Sequence, residues 1–65
     1  MKLPDALTTI EGVLGLHRSL QVTYEVDQFR AEVCDDSLTP IYANVGATVE
    51  EALINLANTI KAPLW

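Results

Sequence analysis

The spacing of apolar residues near the N-terminus predicts a helix. Apolar residues recur there every three or four positions, which places them on one face of a helix. The set is Leu3, Ala6, Leu7, Ile10, Val13 and Leu14. Pro4 suits the first turn of such a helix, and Gly15 suits the position just past its end. The first helix is therefore expected over about residues 4–14.

After this helix the pattern changes to alternation, with apolar residues at even positions and polar residues at odd positions. The apolar set, interrupted by Arg18, is Leu16, Leu20, Val22, Tyr24 and Val26. Alternation of this kind predicts a strand with one buried face, and it is clearest over residues 20–26. Asp27 and Gln28 are expected to form the tight turn that follows.

Two further strands are predicted by the same alternation. The residues expected to face the core are Phe29, Ala31 and Val33 in the second strand and Ile41, Ala43 and Val45 in the third. The residues expected on the opposite, polar face are Arg30, Glu32 and Cys34, followed by Tyr42 and Asn44. Asp, Ser and Pro residues at positions 35–40 predict a turn between these strands.

A second helix with its own start signal is predicted within residues 46–60. Thr48 can cap the first turn and Glu51 can reach back to the Thr48 amide, so the two would form a capping box. One face of this helix is apolar at helical spacing, through Val49, Ala52, Leu53, Leu56, Ala57 and Ile60. Pro63 is expected to stop the helix, with Trp65 projecting beyond it.

Together these elements predict an α+β fold of order α-β-β-β-α, formed by a single small domain over residues 1–65. The strands would make a three-stranded antiparallel meander, with the C-terminal helix covering its apolar face. The N-terminal helix would either join that helix or pack on a neighbouring subunit. A chain this short buries only about 60% of the surface that its unfolded form exposes, so a partner or self-association would supplement its thin core.

The net charge of −5 comes from nine acidic residues against four Lys and Arg. Four scattered cations do not make the basic stripe that binding to phosphates requires, so direct binding of DNA or RNA is not expected. The acidity suits either solubility or attraction to a basic partner surface. No stretch approaches the roughly 18 apolar residues of a membrane helix, and no signal-peptide pattern is seen, so a cytoplasmic protein without membrane contact is expected.

The residue types in the chain point away from catalysis. His17 is the only histidine and Cys34 the only cysteine, so neither a histidine-based metal site nor an internal disulfide is expected. Cys34 is interpreted as a small filler residue, with an intermolecular disulfide or a reactive thiol as the alternative. Glu50 and Glu51 are adjacent carboxylates, but the helix dipole and the cap explain acids in a first turn. The chain is therefore not expected to be an enzyme or to hold a cofactor or metal.

A longer sequence pattern extends from about Val22 to Ile60. It contains the runs Val-Thr-Tyr-Glu-Val, Phe-Arg-Ala-Glu-Val and Ile-Tyr-Ala-Asn-Val. They are followed by Gly-x-Thr-x-Glu-Glu-Ala-Leu-x-Asn, which is formed by Gly46, Thr48, Glu50, Glu51, Ala52, Leu53 and Asn55. This pattern resembles the core of the HicB family of antitoxins. The resemblance implies a partial double-stranded-RNA-binding-like fold that binds and inhibits a partner protein, without the DNA-binding segment that HicB proteins usually have.

A non-enzymatic protein-binding module that inhibits a partner protein is the preferred interpretation. The residues expected to contact the partner are Glu25, Glu32, Asp35, Asp36, Tyr42, Glu50, Glu51, Ile54 and Trp65. Tyr42 and Ile54 are expected outside the core, where aromatic and branched residues are typical interface anchors. Trp65 is expected either to cap its own core or to pack on another chain. A nuclease or another nucleic-acid-binding enzyme with a basic surface is the natural target class.

Two other interpretations remain open. Small size, acidity and the lack of catalytic residues also fit an inhibitor from a phage or mobile element that blocks a host defence complex, such as an anti-CRISPR protein. The other interpretation is a structural homo-oligomer, for example a homodimer, whose N-terminal helices or edge strands pair across a two-fold axis. This last interpretation is compatible with either kind of inhibitor.

Overall fold

A computed structural model describes residues 1–62 and confirms the predicted order of two helices and three strands. The elements are α1 (Leu3–Leu14), β1 (Ser19–Glu25), β2 (Gln28–Cys34), β3 (Pro40–Gly46) and α2 (Val49–Lys61). The strands form one antiparallel sheet in the order β1-β2-β3. The fold is therefore α+β, as predicted. The predictions made for Pro63 and Trp65 lie outside the described residues.

Both helices lie on the same face of the sheet. α2 packs chiefly on β3 and β2, and α1 packs chiefly on α2. Ala6 and Ile10 of α1 are fully buried in the same core as Ala31 and Val33 of β2. The N-terminal helix therefore packs on its own chain, which the sequence had left undecided.

Small side chains at the contacts let these elements approach closely. The buried core is formed by Ala6, Ile10, Ala31, Val33, Ala52, Leu53, Leu56 and Ala57. Ile10, Leu56 and Val33 are its largest fully buried side chains. Four alanines of eight core residues fill little volume, so the core is as thin as the chain length predicts.

At the start of α2, one of the two hydrogen bonds of the predicted capping box is formed. The Thr48 side-chain oxygen accepts a hydrogen bond from the Glu51 amide at 3.0 Å, which satisfies one of the free N–H groups of the first turn. The reverse bond, from the Thr48 amide to the Glu51 carboxylate, is not formed within the described residues. The cap is therefore a Thr N-cap, and Glu51 is left free to face solvent.

The prediction for the two faces of β3 is wrong. Ala31 of β2 lies opposite Asn44, and Val33 lies opposite Tyr42. Directly opposite residues in a sheet share a face, so Tyr42 and Asn44 point towards the helices. Ala43 and Val45, which were expected to face the core, lie opposite Glu32 and Arg30 and point to the other side of the sheet. Ile41, expected on the same inward face, lies at an irregular step in the pairing and has no directly opposite residue in β2.

Hydrogen bonds to α2 explain why a polar residue occupies the helix side of β3. The Asn44 side chain donates to the Asn55 carbonyl oxygen at 3.2 Å and to Thr59 Oγ1 at 2.8 Å. The pairing of β2 with β3 also shifts between Val33 and Cys34, at the end where the loop enters. Alternation in the sequence of β3 defines the two faces of the strand. It does not determine which face packs against the helices, because the loop before β3 sets the register with β2.

β1 presents the predicted face to the helix side, but the helices do not cover most of it. Leu20 is half-buried, whereas Val22 and Tyr24 are 41% and 61% exposed. Leu16, predicted at the start of this strand, instead lies exposed in the turn before Ser19. The expectation that this whole apolar face is buried is therefore wrong.

The turn between β1 and β2 is formed by Val26 and Asp27, one residue earlier than predicted. Their φ angles are 42° and 65°, as a two-residue type I′ hairpin turn requires. A β-branched residue is rarely found in this left-handed region, because its side chain crowds the backbone there. Val26 is also 91% exposed, so no packing contact offsets the strain.

Gly46 is a position where β3 comes very close to α2. A Cβ atom added to Gly46 would lie 2.5 Å from the Ala52 nitrogen and 2.8 Å from the Glu51 carbonyl carbon. These are backbone atoms, so Gly46→Ala must push the helix away from the strand. We expect the free energy of unfolding to fall by about 1–3 kcal/mol, measured by chemical denaturation.

Gly12→Ala is the matched control for this substitution. Gly12 lies inside α1, and beyond the neighbouring backbone of that helix an added Cβ atom would meet no atom within 4 Å. Alanine is the better helix former, so this variant should be more stable than the parent by about 0.5–1 kcal/mol. Equal destabilisation by the two substitutions would contradict the close approach at Gly46.

Val26→Asn should stabilise the protein. Asn tolerates the left-handed conformation and is favoured at the first position of a type I′ turn. We expect the free energy of unfolding to rise by about 1 kcal/mol. Val26→Ile keeps the β-branch and should give no gain, and a similar gain in both variants would show that backbone strain at Val26 is not the cause.

Candidate protein-binding surface

The helix-side face of β1 forms an exposed apolar strip, which we name the β1 surface and define as Leu20, Val22 and Tyr24. Tyr24, at one end of the β1 surface, packs against Phe29 of β2, with ring centroids 4.9 Å apart and the rings tilted by 57°. This geometry is favourable for an aromatic pair and places the tyrosine ring against β2. The β1 surface therefore combines a packed aromatic ring with the apolar side chains that follow it on the same face of the strand.

The first turn of α2 lies on the same side and at the same end of the sheet as Tyr24. The sheet register places Tyr24 opposite Phe29, and Phe29 opposite Gly46. α2 starts directly over Gly46, since an added Cβ atom there would touch Ala52. This first turn carries the exposed side chains of Val49, Glu50 and Glu51. An acidic turn therefore lies at the same end of this sheet face as Tyr24, two strands away from the apolar strip.

The other predicted acidic residues lie elsewhere. Glu25 and Glu32 are on the outer face of the sheet, where Arg30 approaches them at 3.3 Å and 3.8 Å. Exposed ion pairs of this kind contribute little to stability. The Arg30 guanidinium does offset the charge of the Glu25 and Glu32 carboxylates. These two glutamates therefore attract a basic partner less strongly than Glu50 and Glu51 do.

The loop between β2 and β3 uses Asp35 for its own structure. Its Oδ1 atom accepts hydrogen bonds from the amides of Ser37 and Thr39, both at 2.9 Å, as in an Asx turn. Asp36 is exposed in the same loop. This loop joins the opposite ends of the strands from the Val26–Asp27 turn, so both aspartates lie far from the acidic turn of α2.

Two predicted apolar anchors are less exposed than expected. Tyr42 lies on the helix side of β3, and both Tyr42 and Ile54 are partly buried against the core. The expectation that they stand outside the core is therefore wrong, while their contact with a partner remains a prediction. Trp65 lies beyond the described residues. Of the predicted site residues, Glu50 and Glu51 lie on the same side and at the same end of the sheet as Tyr24.

Val22 and Tyr24 were missed as site residues because their alternation was interpreted as burial. The width of a helix compared with the spacing of strands could have identified Val22 and Tyr24 as exposed. A helix with its side chains is about 10 Å wide, and neighbouring strands lie about 4.8 Å apart. One helix therefore covers about two strands, and the third strand is covered only if the second helix lies over it. Here α1 packs chiefly on α2, and β1 stays open.

Cys34 is buried on the outer side of β2 rather than exposed. Burial raises the pKa of its thiol above the ordinary value of 9.0, and the nearby Glu32 and Asp35 carboxylates raise it further. A thiol with a raised pKa forms little thiolate at neutral pH and reacts slowly. This environment favours the interpretation of Cys34 as a filler residue.

Within residues 1–62, no group of three or more His, Cys, Asp and Glu side chains is arranged to hold a metal ion. The same part of the chain contains no pocket for a small molecule. Neither described helix is long and apolar enough to cross a membrane. Comparison of the chain with protein family models, with curated proteins and with solved structures gives no match.

Proposed function

We propose that this protein is a non-enzymatic protein-binding module of the cytoplasm that inhibits a partner protein through the β1 surface and the acidic turn of α2. The observation that supports this proposal most directly is the exposure of Val22 and Tyr24 on a sheet face that the helices leave open. Apolar side chains that are ordered, adjacent and uncovered are typical of protein interaction sites. We therefore expect the main contact on β1, and contact of Tyr42 and Ile54 with the partner stays a prediction.

Charge defines the chemistry of the partner. The protein carries a net charge of −5, and Glu50 and Glu51 form no ion pair within the described residues. Arg30 is occupied by Glu25 and Glu32 on the opposite face of the sheet. A partner that fits this surface has Lys or Arg residues around an apolar patch. Enzymes that act on nucleic acids present such basic surfaces, because they must bind phosphates.

Tyr24 is the expected anchor of the complex. Tyrosine is enriched among interface residues that contribute most to binding, since it buries a large apolar ring at a small entropic cost. The Tyr24 ring already packs against Phe29, and this contact reduces the ordering that binding requires. Inhibition would follow if the partner's active site lies under the docked surface, as the resemblance to HicB antitoxins implies.

The test begins with the partner itself, captured on the tagged protein at low salt and identified by mass. Its association and dissociation rates are then measured by surface plasmon resonance over a series of salt concentrations. The double variant Glu50→Lys and Glu51→Lys should associate about tenfold more slowly at low salt, with a weaker salt dependence. Tyr24→Ala should dissociate about tenfold faster or more, since truncated anchor residues typically weaken binding by 1.4 kcal/mol or more.

Asp36→Lys is the control for the single variant Glu51→Lys, because each raises the net charge by about two units and Asp36 is exposed on a loop at the opposite end of the sheet. It should change the association rate much less than Glu51→Lys. An equal effect would mean that net charge, and not this surface, attracts the partner. Unchanged dissociation of Tyr24→Ala would exclude the β1 surface, and a bound partner with undiminished activity would exclude inhibition.

A further inference from the structure

We propose that β1 pairs with β1 of a second copy of this chain across a two-fold axis, which joins the two sheets into one antiparallel sheet of six strands. The proposal concerns the backbone edge of β1 and goes beyond the binding function proposed above. It does not require any other partner. Four features of the two sheet edges support it.

The first feature is the set of unpaired backbone groups on β1. The two-residue turn at Val26 and Asp27 is closed by the pair Glu25–Gln28, and the closing pair of such a hairpin is hydrogen-bonded. Hydrogen bonds to β2 then come from the odd-numbered residues of β1. The N–H and C=O groups of Leu20, Val22 and Tyr24 therefore point away from β2, along the open edge.

The second feature is that the opposite edge, on β3, is protected at both of its ends. Asn44 Oδ1 accepts a hydrogen bond from the Val45 amide at 2.8 Å, and Asn55 Nδ2 donates to the Val45 carbonyl oxygen at 2.9 Å. Both outward backbone groups of Val45 are thus occupied by side chains. β3 also begins with Pro40 next to an irregular step in its pairing with β2. Proline, irregular pairing and covering side chains all hinder the addition of another strand.

The third feature is that β1 has none of these protections. Its seven residues contain neither proline nor lysine, and its pairing with β2 runs without a shift from Ser19 to Glu25. Its one charged residue, Glu25, already faces Arg30 at 3.3 Å. Unprotected edges invite another strand, and selection normally removes them unless they are used.

The fourth feature is the symmetry of the β1 sequence about Val22, which makes a second copy the best-fitting occupant. The strand alternates polar and apolar residues in the same way in both directions, as Ser-Leu-Gln-Val-Thr-Tyr-Glu. A two-fold axis at Val22 places Val22 opposite its own copy, Leu20 opposite Tyr24 of the second copy, and Ser19 opposite Glu25 of the second copy. No like charges meet, and apolar residues share one face.

This register also matches the free backbone groups. Leu20, Val22 and Tyr24 would form three hydrogen-bonded pairs with Tyr24, Val22 and Leu20 of the second copy, for about six hydrogen bonds. The two β1 surfaces would become neighbours on the helix side of the joined sheet. One strand from each copy is a small interface, so the dimer is expected to dissociate in the micromolar range.

The first measurement is the mass of the purified protein by sedimentation equilibrium, without any partner, from about 1 µM to 1 mM, a range that spans the affinity expected of a small interface. We expect the 7.1 kDa chain to approach twice its mass as concentration rises. Val22→Lys places two like charges opposite each other at the axis and should abolish the rise. Ala43→Lys, on the β3 edge, is the matched control and should leave it unchanged. A monomer throughout the range, or loss of dimer in the control alone, would overturn the proposal.

Hydrogen exchange is measured on the unmodified protein, so its result does not depend on whether a variant folds. The amides of Gln21 and Thr23 bond to β2 and should be protected at every concentration. The amides of Leu20, Val22 and Tyr24 should exchange about tenfold more slowly when nine-tenths of the protein is dimeric. If a dimer forms without this alternating protection, it uses another surface and the proposal is wrong. Protection that appears only when a different protein is added would also overturn it.

Discussion

The hydrogen bonds of Asn44 determine how the sheet meets its main helix. Asn44 donates to the Asn55 carbonyl and to Thr59, while Asn55 donates back to Val45. A half-buried amide without such partners would destabilise the fold by about 1–3 kcal/mol, so the register of β3 and the position of α2 are tied together. Gly46 completes this contact, since only a glycine leaves room for the first turn of α2.

The position of α2 over β3 and β2 has a consequence at the other edge of the sheet. α1 packs chiefly on α2, so most of the helix-side face of β1 stays uncovered although its sequence is as apolar as that of β2. One edge is therefore covered by a helix and closed by side-chain hydrogen bonds, and the other is open in both its side chains and its backbone groups. The same asymmetry supports the proposed docking of a partner on Val22 and Tyr24 and the proposed pairing of β1 with its copy.

Features that depend on neighbours in the sequence could be predicted, and those that depend on distant contacts could not. Helical spacing, the Thr48 cap and alternation within each strand are local, and they gave the correct order of elements. The inward face of β3 depends on Asn44 meeting Thr59, fifteen residues later, which alternation cannot reveal. The exposure of Tyr24 depends on where α1 lies. Glu50 and Glu51 of the predicted site lie at the same end of the helix-side face as Tyr24, and the cap that places them in the first turn of α2 is a local signal.

Because the core is thin, the exposed apolar residues of β1 matter for the free energy of folding. Val22 and Tyr24 stay 41% and 61% exposed in the isolated chain, so the exposed part of their apolar surface contributes nothing to its folding. In an assembled state the same residues would be covered, and any partner that binds only the folded chain stabilises it by mass action. Under either proposal, stability and association would be linked in this small domain. The apolar side chains of β1 that its own helices leave open would then stabilise the assembled state more than the isolated chain.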